Sequence, residues 1–188
     1  MRILKNALRL SHDMLERVVK KGDTVVDATC GKGNDTVFLA KLVQETGRVY
    51  AFDIQKKAID ITRQALKDNC VLEWVDLVCD GHENMDLYVK ESVSAVIFNL
   101  GYLPTGDHRI ATNPKTTIIA VKKALNMLKV NGLVVIVVYS GGDTGFFEKD
   151  SVLEFVSTLN AKEYNVMKVD FTNQVNNPPI LLCIEKIK

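Results

Sequence analysis

Apolar positions along this chain follow two alternating rhythms. Ile3, Leu4, Ala7, Leu8, Met14, Leu15, Val18 and Val19 fall at helical spacing, and Gly22 ends the run. Short β-branched stretches then alternate with helical ones. The pattern predicts strands over 24–28, 49–53, 76–79, 94–99, 133–139, 164–171 and 180–185. Helices are expected over 35–44, 55–67 and 146–159, with a short one near 83–90. Asn113-Pro114 opens another that runs to Lys129, with proline in a tolerated first-turn position. Strands separated by full helices imply parallel pairing through right-handed crossovers. The turn Asn176-Asn177-Pro178-Pro179 is too short for a crossover, so the last strand is expected to run antiparallel. The expected architecture is therefore α/β and Rossmann-like: a seven-stranded, mostly parallel sheet with an antiparallel last strand and helices on both faces. One domain over 1–188 is expected, with the N-terminal helix over 1–22 packing on it.

Composition narrows the function classes. Apolar content of 47% and charged content of 25% are those of a globular protein, and a net charge of +1 carries no bulk signal for a polyanion. Cys30, Cys70, Cys79 and Cys183 form no C-x-x-C pair. That spacing suits buried thiols in a reducing cytosol and gives neither a disulfide frame nor a metal site. Lys5, Arg9, His12 and Asp13 interrupt the first apolar stretch, and the longest apolar run, 133–139, is too short to span a bilayer. A cytoplasmic protein with no membrane partner is expected.

The chemistry concentrates where the first strand ends. Thr24-Val25-Val26-Asp27-Ala28 breaks into Thr29-Cys30-Gly31-Lys32-Gly33-Asn34, and Asp35-Thr36 opens a helix. A strand that ends in Gly-x-Gly and feeds a helix brings bare backbone N–H groups up to a ligand. Twenty residues beyond Gly33 the second strand ends on Asp53, placed to accept both hydroxyls of a ribose, with Gln55 within reach of ribose or adenine. A phosphate loop needs Ser or Thr after its lysine, and Gly33 follows Lys32. A dinucleotide loop needs a third glycine, and Thr36 stands there. Asp27 is unfavourable beside a pyrophosphate and favourable beside an ammonium group. These features select S-adenosylmethionine over NAD, and with the strand pattern they outline a class I methyltransferase.

Three further stretches extend the site. Asp80-Gly81-His82 ends the third strand where an adenine would lie; Asp80 is placed to accept from its amino group and His82 to stack or hydrogen-bond beside it. Asn99-Leu100-Gly101-Tyr102-Leu103-Pro104 follows the fourth strand and is similar to the Asn-Pro-Pro-Tyr tetrapeptides of methyltransferases that modify nitrogen. On that likeness Asn99 accepts from the target amine and Tyr102 stacks on the base. In the loop that follows, Asp107 or His108 is the candidate proton acceptor, and Arg109 is placed for a phosphate. Residues 1–21 hold six basic and two acidic side chains, with Arg2, Lys5 and Arg9 on one helical face, which is either an RNA-facing stripe or a solvated one. His12 on that helix is read as structural, or as closing over the cofactor.

As a set, Ser11-His12, residues 25–29, Gly31-Lys32-Gly33-Asn34-Asp35-Thr36, Phe52-Asp53-Ile54-Gln55, Gly81-His82 and 99–104 make the chain resemble the small rRNA methylase family of stand-alone class I methyltransferases. Members of that family look like the MnmM-type tRNA enzymes. The resemblance implies methylation of the amine of 5-aminomethyl-2-thiouridine at the tRNA wobble position, with Asn34, Asp53, Gln55 and His82 as cofactor contacts. The family's loop usually has Asn where this chain has Lys32. A homodimer, which would widen the RNA surface, is a further expectation. The alternatives are a methyltransferase acting on rRNA, a metabolite or a protein, and a non-catalytic binder of the same cofactor.

Overall fold

Strands that read as unbroken Val/Ile/Leu runs belong in the middle of a sheet covered on both faces. They lie there in the computed structural model, which describes residues 6–101, 112–139, 145–175 and 177–188. Helix α1 (Ala7–Val18) is followed by β1 (Thr24–Asp27), α2 (Asn34–Val43), β2 (Arg48–Phe52), α3 (Lys56–Asp68), β3 (Val75–Val78) and α4 (Met85–Tyr88). The second half supplies β4 (Val93–Leu100), α5 (Pro114–Met127), β5 (Leu128–Val138), α6 (Gly145–Ser157), β6 (Tyr164–Val169) and β7 (Ile180–Lys186). The seven strands form one sheet in the order β3-β2-β1-β4-β5-β7-β6. Parallel pairing runs from β3 to β5, and β7 is antiparallel to both β5 and β6. The expected reversal of the last strand is present, and the reversed strand inserts between its two neighbours.

The strand period of two builds two cores on opposite faces. Val26, Phe98 and Ile136 turn one way, onto Ala120, Ala124 and Val152. Their neighbours Val25, Ile97 and Val135 turn the other way, onto Leu15, Leu39 and Leu66. Helix α1 thus packs on the sheet through Ala7, Leu15 and Val19. Its start is capped by Asn6, whose side chain accepts from the Arg9 N–H at 2.9 Å.

Three local expectations change. Strand β5 begins at Leu128, before the Asn131-Gly132 pair that reads as a turn. Asn131 takes φ +64° inside the strand, and the β4–β5 register shifts between Val93 and Ala95. The turn signal is absorbed as a strand irregularity. The expected short helix after β3 contracts to a 3₁₀ turn over His82–Asn84 and the four residues of α4. Only Cys30 and Cys183 are buried thiols, whereas Cys70 and Cys79 are exposed. Cys70 takes φ +57° just beyond α3, and Cys79 follows β3, a strand with a neighbour on one side only.

The topology fixes where a ligand can sit. From β1 the chain first builds outward through β2 and β3, then returns to place β4 on the other side of β1. In open α/β sheets the ligand crevice lies at such a reversal, here beyond the carboxyl ends of β1 and β4. Among the described residues no helix is long and apolar enough to cross a membrane.

Candidate functional site

The loop after β1 is held by the elements around it. The Cys30 N–H donates to the Phe52 carbonyl (2.8 Å), the Gly33 N–H to Cys30 O (2.7 Å), and the Thr62 hydroxyl of α3 to Gly31 O (3.2 Å). Gly33 has φ +83°, and a Cβ there would meet the Thr62 Cα at 3.1 Å. Both the left-handed backbone and the contact with α3 call for glycine. Lys32 and Asn34 are exposed at the tip, and Gly31 is half-buried.

Asp53 joins this loop to the next. Its Oδ2 accepts from the Gly31 N–H (3.1 Å) and its Oδ1 from the Gln55 N–H (2.9 Å). Each carboxylate oxygen retains a second lone pair. Asp53 and Gln55 are both half-buried, and burial pushes the Asp53 carboxyl above its ordinary value.

Asp27 has no exposed surface. Its Oδ2 accepts from the Thr36 hydroxyl (2.6 Å) and its Oδ1 from the Thr29 N–H (3.1 Å). The residue at the third-glycine position therefore holds the carboxylate under the loop. Burial, and next the nearby Asp35 carboxylate, raise Asp27 to about 7. Asp27, expected to be favourable beside an ammonium group, is bonded within its own loop and fully buried.

Beyond β3, Asp80 Oδ1 accepts from the Gly81 N–H (2.7 Å) and Asn84 Nδ2 (3.0 Å), and Oδ2 accepts from the Tyr88 hydroxyl (2.8 Å). The Asn84 and Tyr88 donors hold its carboxyl below the ordinary value. His82 opens the 3₁₀ turn that follows. It is buried, its Nδ1 donates to the Ala28 carbonyl (3.1 Å), and its ring meets Phe98 edge-on at 5.7 Å. Burial pushes its imidazole below the ordinary value, favouring the neutral form that pins the end of β1.

Asn99 faces this region from β4. Its backbone N–H donates to the Thr29 hydroxyl (2.8 Å) and its Nδ2 to Asp35 Oδ2 (3.2 Å). The other oxygen of Asp35 lies 2.7 Å from His12 Nε2 of α1, and the His12 ring stacks on Phe38 at 3.9 Å with a 5° tilt. Gly101 and Thr112 bond to each other through N–H, carbonyl and hydroxyl groups, and Thr112 and Thr117 both donate to the buried Glu148. Tyr102, Asp107, His108 and Arg109 lie outside the described residues.

The structure thus gathers the glycine loop, Asp53, Gln55 and Asn99 at one end of the sheet. It adds Asp35, which sequence reasoning treats only as part of a helix start, and gives His12 a partner. An acid two residues after the second glycine of the loop is the signal that could have found it. The described carboxylates of the crevice, Asp27, Asp35 and Asp53, suit a positively charged adenosyl ligand and oppose a pyrophosphate.

Comparison with known proteins agrees with this geometry. The model of the family described as "Putative rRNA methylase" matches residues 49–185. The chain is 39% identical to the chloroplastic tRNA (mnm(5)s(2)U34)-methyltransferase of Arabidopsis thaliana, over 97% of this chain and 70% of that protein. A putative rRNA-methylase of Clostridium thermocellum superposes with a TM-score of 0.97 at 56% identity, covering 99% of this chain and 100% of that one. A putative methyltransferase of Streptococcus mutans, crystallised in complex with SAH, gives 0.91 at 43% identity, covering 98% and 99%.

Proposed function

The chain belongs to the putative rRNA methylase family, and we propose that it methylates the amine of 5-aminomethyl-2-thiouridine at the wobble position of tRNA. It is an S-adenosylmethionine-dependent methyltransferase with a class I fold. The observation that carries the tRNA assignment is the match to the Arabidopsis tRNA enzyme along 97% of this chain.

When bound, S-adenosylmethionine supplies a methyl group on a positively charged sulfur. Gly31, Lys32, Gly33 and Asn34 would line its amino-acid arm, Asp53 and Gln55 its ribose, and Asp80, Gly81 and His82 its adenine end. Asp27 contributes negative charge from beneath the loop. The Asn99 side chain holds the acceptor amine for in-line attack, with Tyr102 against the base. The acceptor nitrogen would take the methyl group as its bond to sulfur breaks and the electron pair stays on sulfur, and the resulting ammonium would lose a proton to Asp107 or His108. Alignment is the main demand on the protein, since the leaving group departs as a neutral thioether.

The cytoplasm is the proposed compartment, and exposed thiols at Cys70 and Cys79 suit a reducing one. A homodimer is part of the same reading, supported by Val166 and Met167, which are 40% and 41% exposed on the edge strand β6. A single monomer mass by light scattering would refute it. The function is tested by mass spectrometry of tRNA nucleosides with and without the gene. The expected change is loss of one methyl on the wobble uridine, and an unchanged nucleoside profile overturns the proposal.

A further inference from the structure

An asparagine side chain presents two ends of nearly the same shape and opposite chemistry, a carbonyl that accepts and an NH₂ that donates. Its neighbours decide which end meets a ligand. A carboxylate that already receives an imidazole N–H can only accept at its other oxygen. Asp35 is in that position: His12 Nε2 is 2.7 Å from Oδ1, and Asn99 Nδ2 is 3.2 Å from Oδ2. The carboxylate is held on every side. It is 6% exposed, lies in the first turn of α2 where negative charge is favoured, and meets an imidazole fixed flat against Phe38. Asn99 is fixed as well, since its backbone N–H is bonded to the Thr29 hydroxyl.

We infer that Asp35 is the positioning residue that turns the Asn99 amide carbonyl toward the acceptor, so that the site selects a nucleophile bearing an N–H. This inference rests on the proposed amine methylation and deepens it by naming what sets the acceptor specificity. His12 has the supporting part: it donates to Asp35 and so keeps the other carboxylate oxygen accepting. The chain brings these three residues together from α1, the start of α2 and the end of β4.

The arrangement makes an unusual substitution pattern predictable. In Asp35→Asn the introduced amide still accepts from His12 through its oxygen, so its NH₂ group faces Asn99. Asn99 then has to rotate its own carbonyl toward position 35 and present NH₂ to the acceptor amine, donor against donor. In the double variant Asp35→Asn/Asn99→Asp every bond is restored, and only the one between positions 35 and 99 reverses its direction. The introduced amide accepts from His12 and donates to the carboxylate now at position 99, which offers its second oxygen to the acceptor.

The experiment measures methyl transfer to tRNA carrying 5-aminomethyl-2-thiouridine by wild type, Asp35→Asn and the double variant. Calorimetric binding of S-adenosylhomocysteine and the thermal midpoint are measured on each. Wild type is expected to transfer methyl to the amine. Asp35→Asn is expected to lose roughly ten- to a hundredfold in kcat, with cofactor affinity within about twofold of wild type. The double variant is expected to recover at least about tenfold of that loss. The inference is overturned if Asp35→Asn keeps its kcat, if its loss follows cofactor affinity, or if the double variant is no better than the single one. If wild type leaves the amine unmethylated, the proposed function fails and the inference falls with it. If wild type is active and only the variant pattern fails, the inference falls alone.

Discussion

Removal of the Asp53 carboxylate should abolish cofactor uptake while leaving a folded protein. The carboxylate bridges the Gly31 and Gln55 N–H groups at 3.1 and 2.9 Å, and each of its oxygens keeps a lone pair for a further donor. Two ribose hydroxyls donating to it would form two hydrogen bonds to a charged group, each contributing about 1.5–3 kcal/mol. Asp53→Ala should therefore weaken binding of S-adenosylhomocysteine by about 3–6 kcal/mol, roughly two to four decades in Kd. The two released N–H groups lie at a half-buried position that water can reach, so the loss of stability should stay near about 1 kcal/mol. Asp53→Asn should fall between, since its amide keeps one acceptor but turns a donor toward Gly31 or Gln55. Calorimetry with S-adenosylhomocysteine is the assay, with circular dichroism as the check on folding. An Asp53→Ala protein that is folded and binds within about twofold of wild type would refute the ribose assignment.

Three other outcomes follow from the same geometry. The Asp27 carboxyl is raised from 3.8 to about 7 in the fold, so over that interval the folded protein holds a proton that the unfolded chain has lost. Stability should fall as pH rises through the interval and level off above it. Asp27→Asn, a mimic of the protonated form, should gain in urea midpoint relative to wild type across the interval, and a gap independent of pH would count against this. Gly33→Ala should lose about 1–2 kcal/mol for a left-handed backbone, with more from the 3.1 Å approach to Thr62, seen as a lower thermal midpoint and weaker cofactor binding. The logarithm of tRNA affinity should fall linearly with the logarithm of salt concentration, by roughly 0.7–0.9 for each phosphate neutralised. A flat dependence would favour a small uncharged substrate.

What could be read from the sequence was whatever is local in the chain. The Val/Ile runs located the strands because strand burial is written in consecutive residues. The meeting of the glycine loop with Asp53 was legible because adjacent parallel strands end side by side, and there Asp53 accepts from the Gly31 N–H. The turn at Asn131-Gly132 misled because a left-handed Asn serves a strand irregularity as well as a hairpin. The anchoring of His82 was not legible for a different reason: its Nδ1 bonds the Ala28 carbonyl, 54 positions away in the chain. The Asp35 bonds were invisible for the same cause. They join residues 23 and 64 positions apart, and only the packing of α1 over the end of the sheet brings them together.

The way the crevice carboxylates are held bears on how the reaction can turn over. Asp27 receives a hydroxyl and an N–H, Asp53 two backbone N–H groups, and Asp35 an imidazole and an amide. Such donors orient a carboxylate without cancelling its charge as a lysine or arginine would, so negative potential remains for a cationic ligand. The sulfonium charge disappears when the methyl group leaves, and with it the part of the attraction that depended on that charge. The protein should therefore hold the charged donor more tightly than the neutral thioether product, and the margin should widen as Asp27 ionises on raising the pH through about 7. Paired calorimetric titrations of the two ligands across that pH range would expose the margin. Equal affinities throughout would mean that the carboxylates act only as struts for the loops.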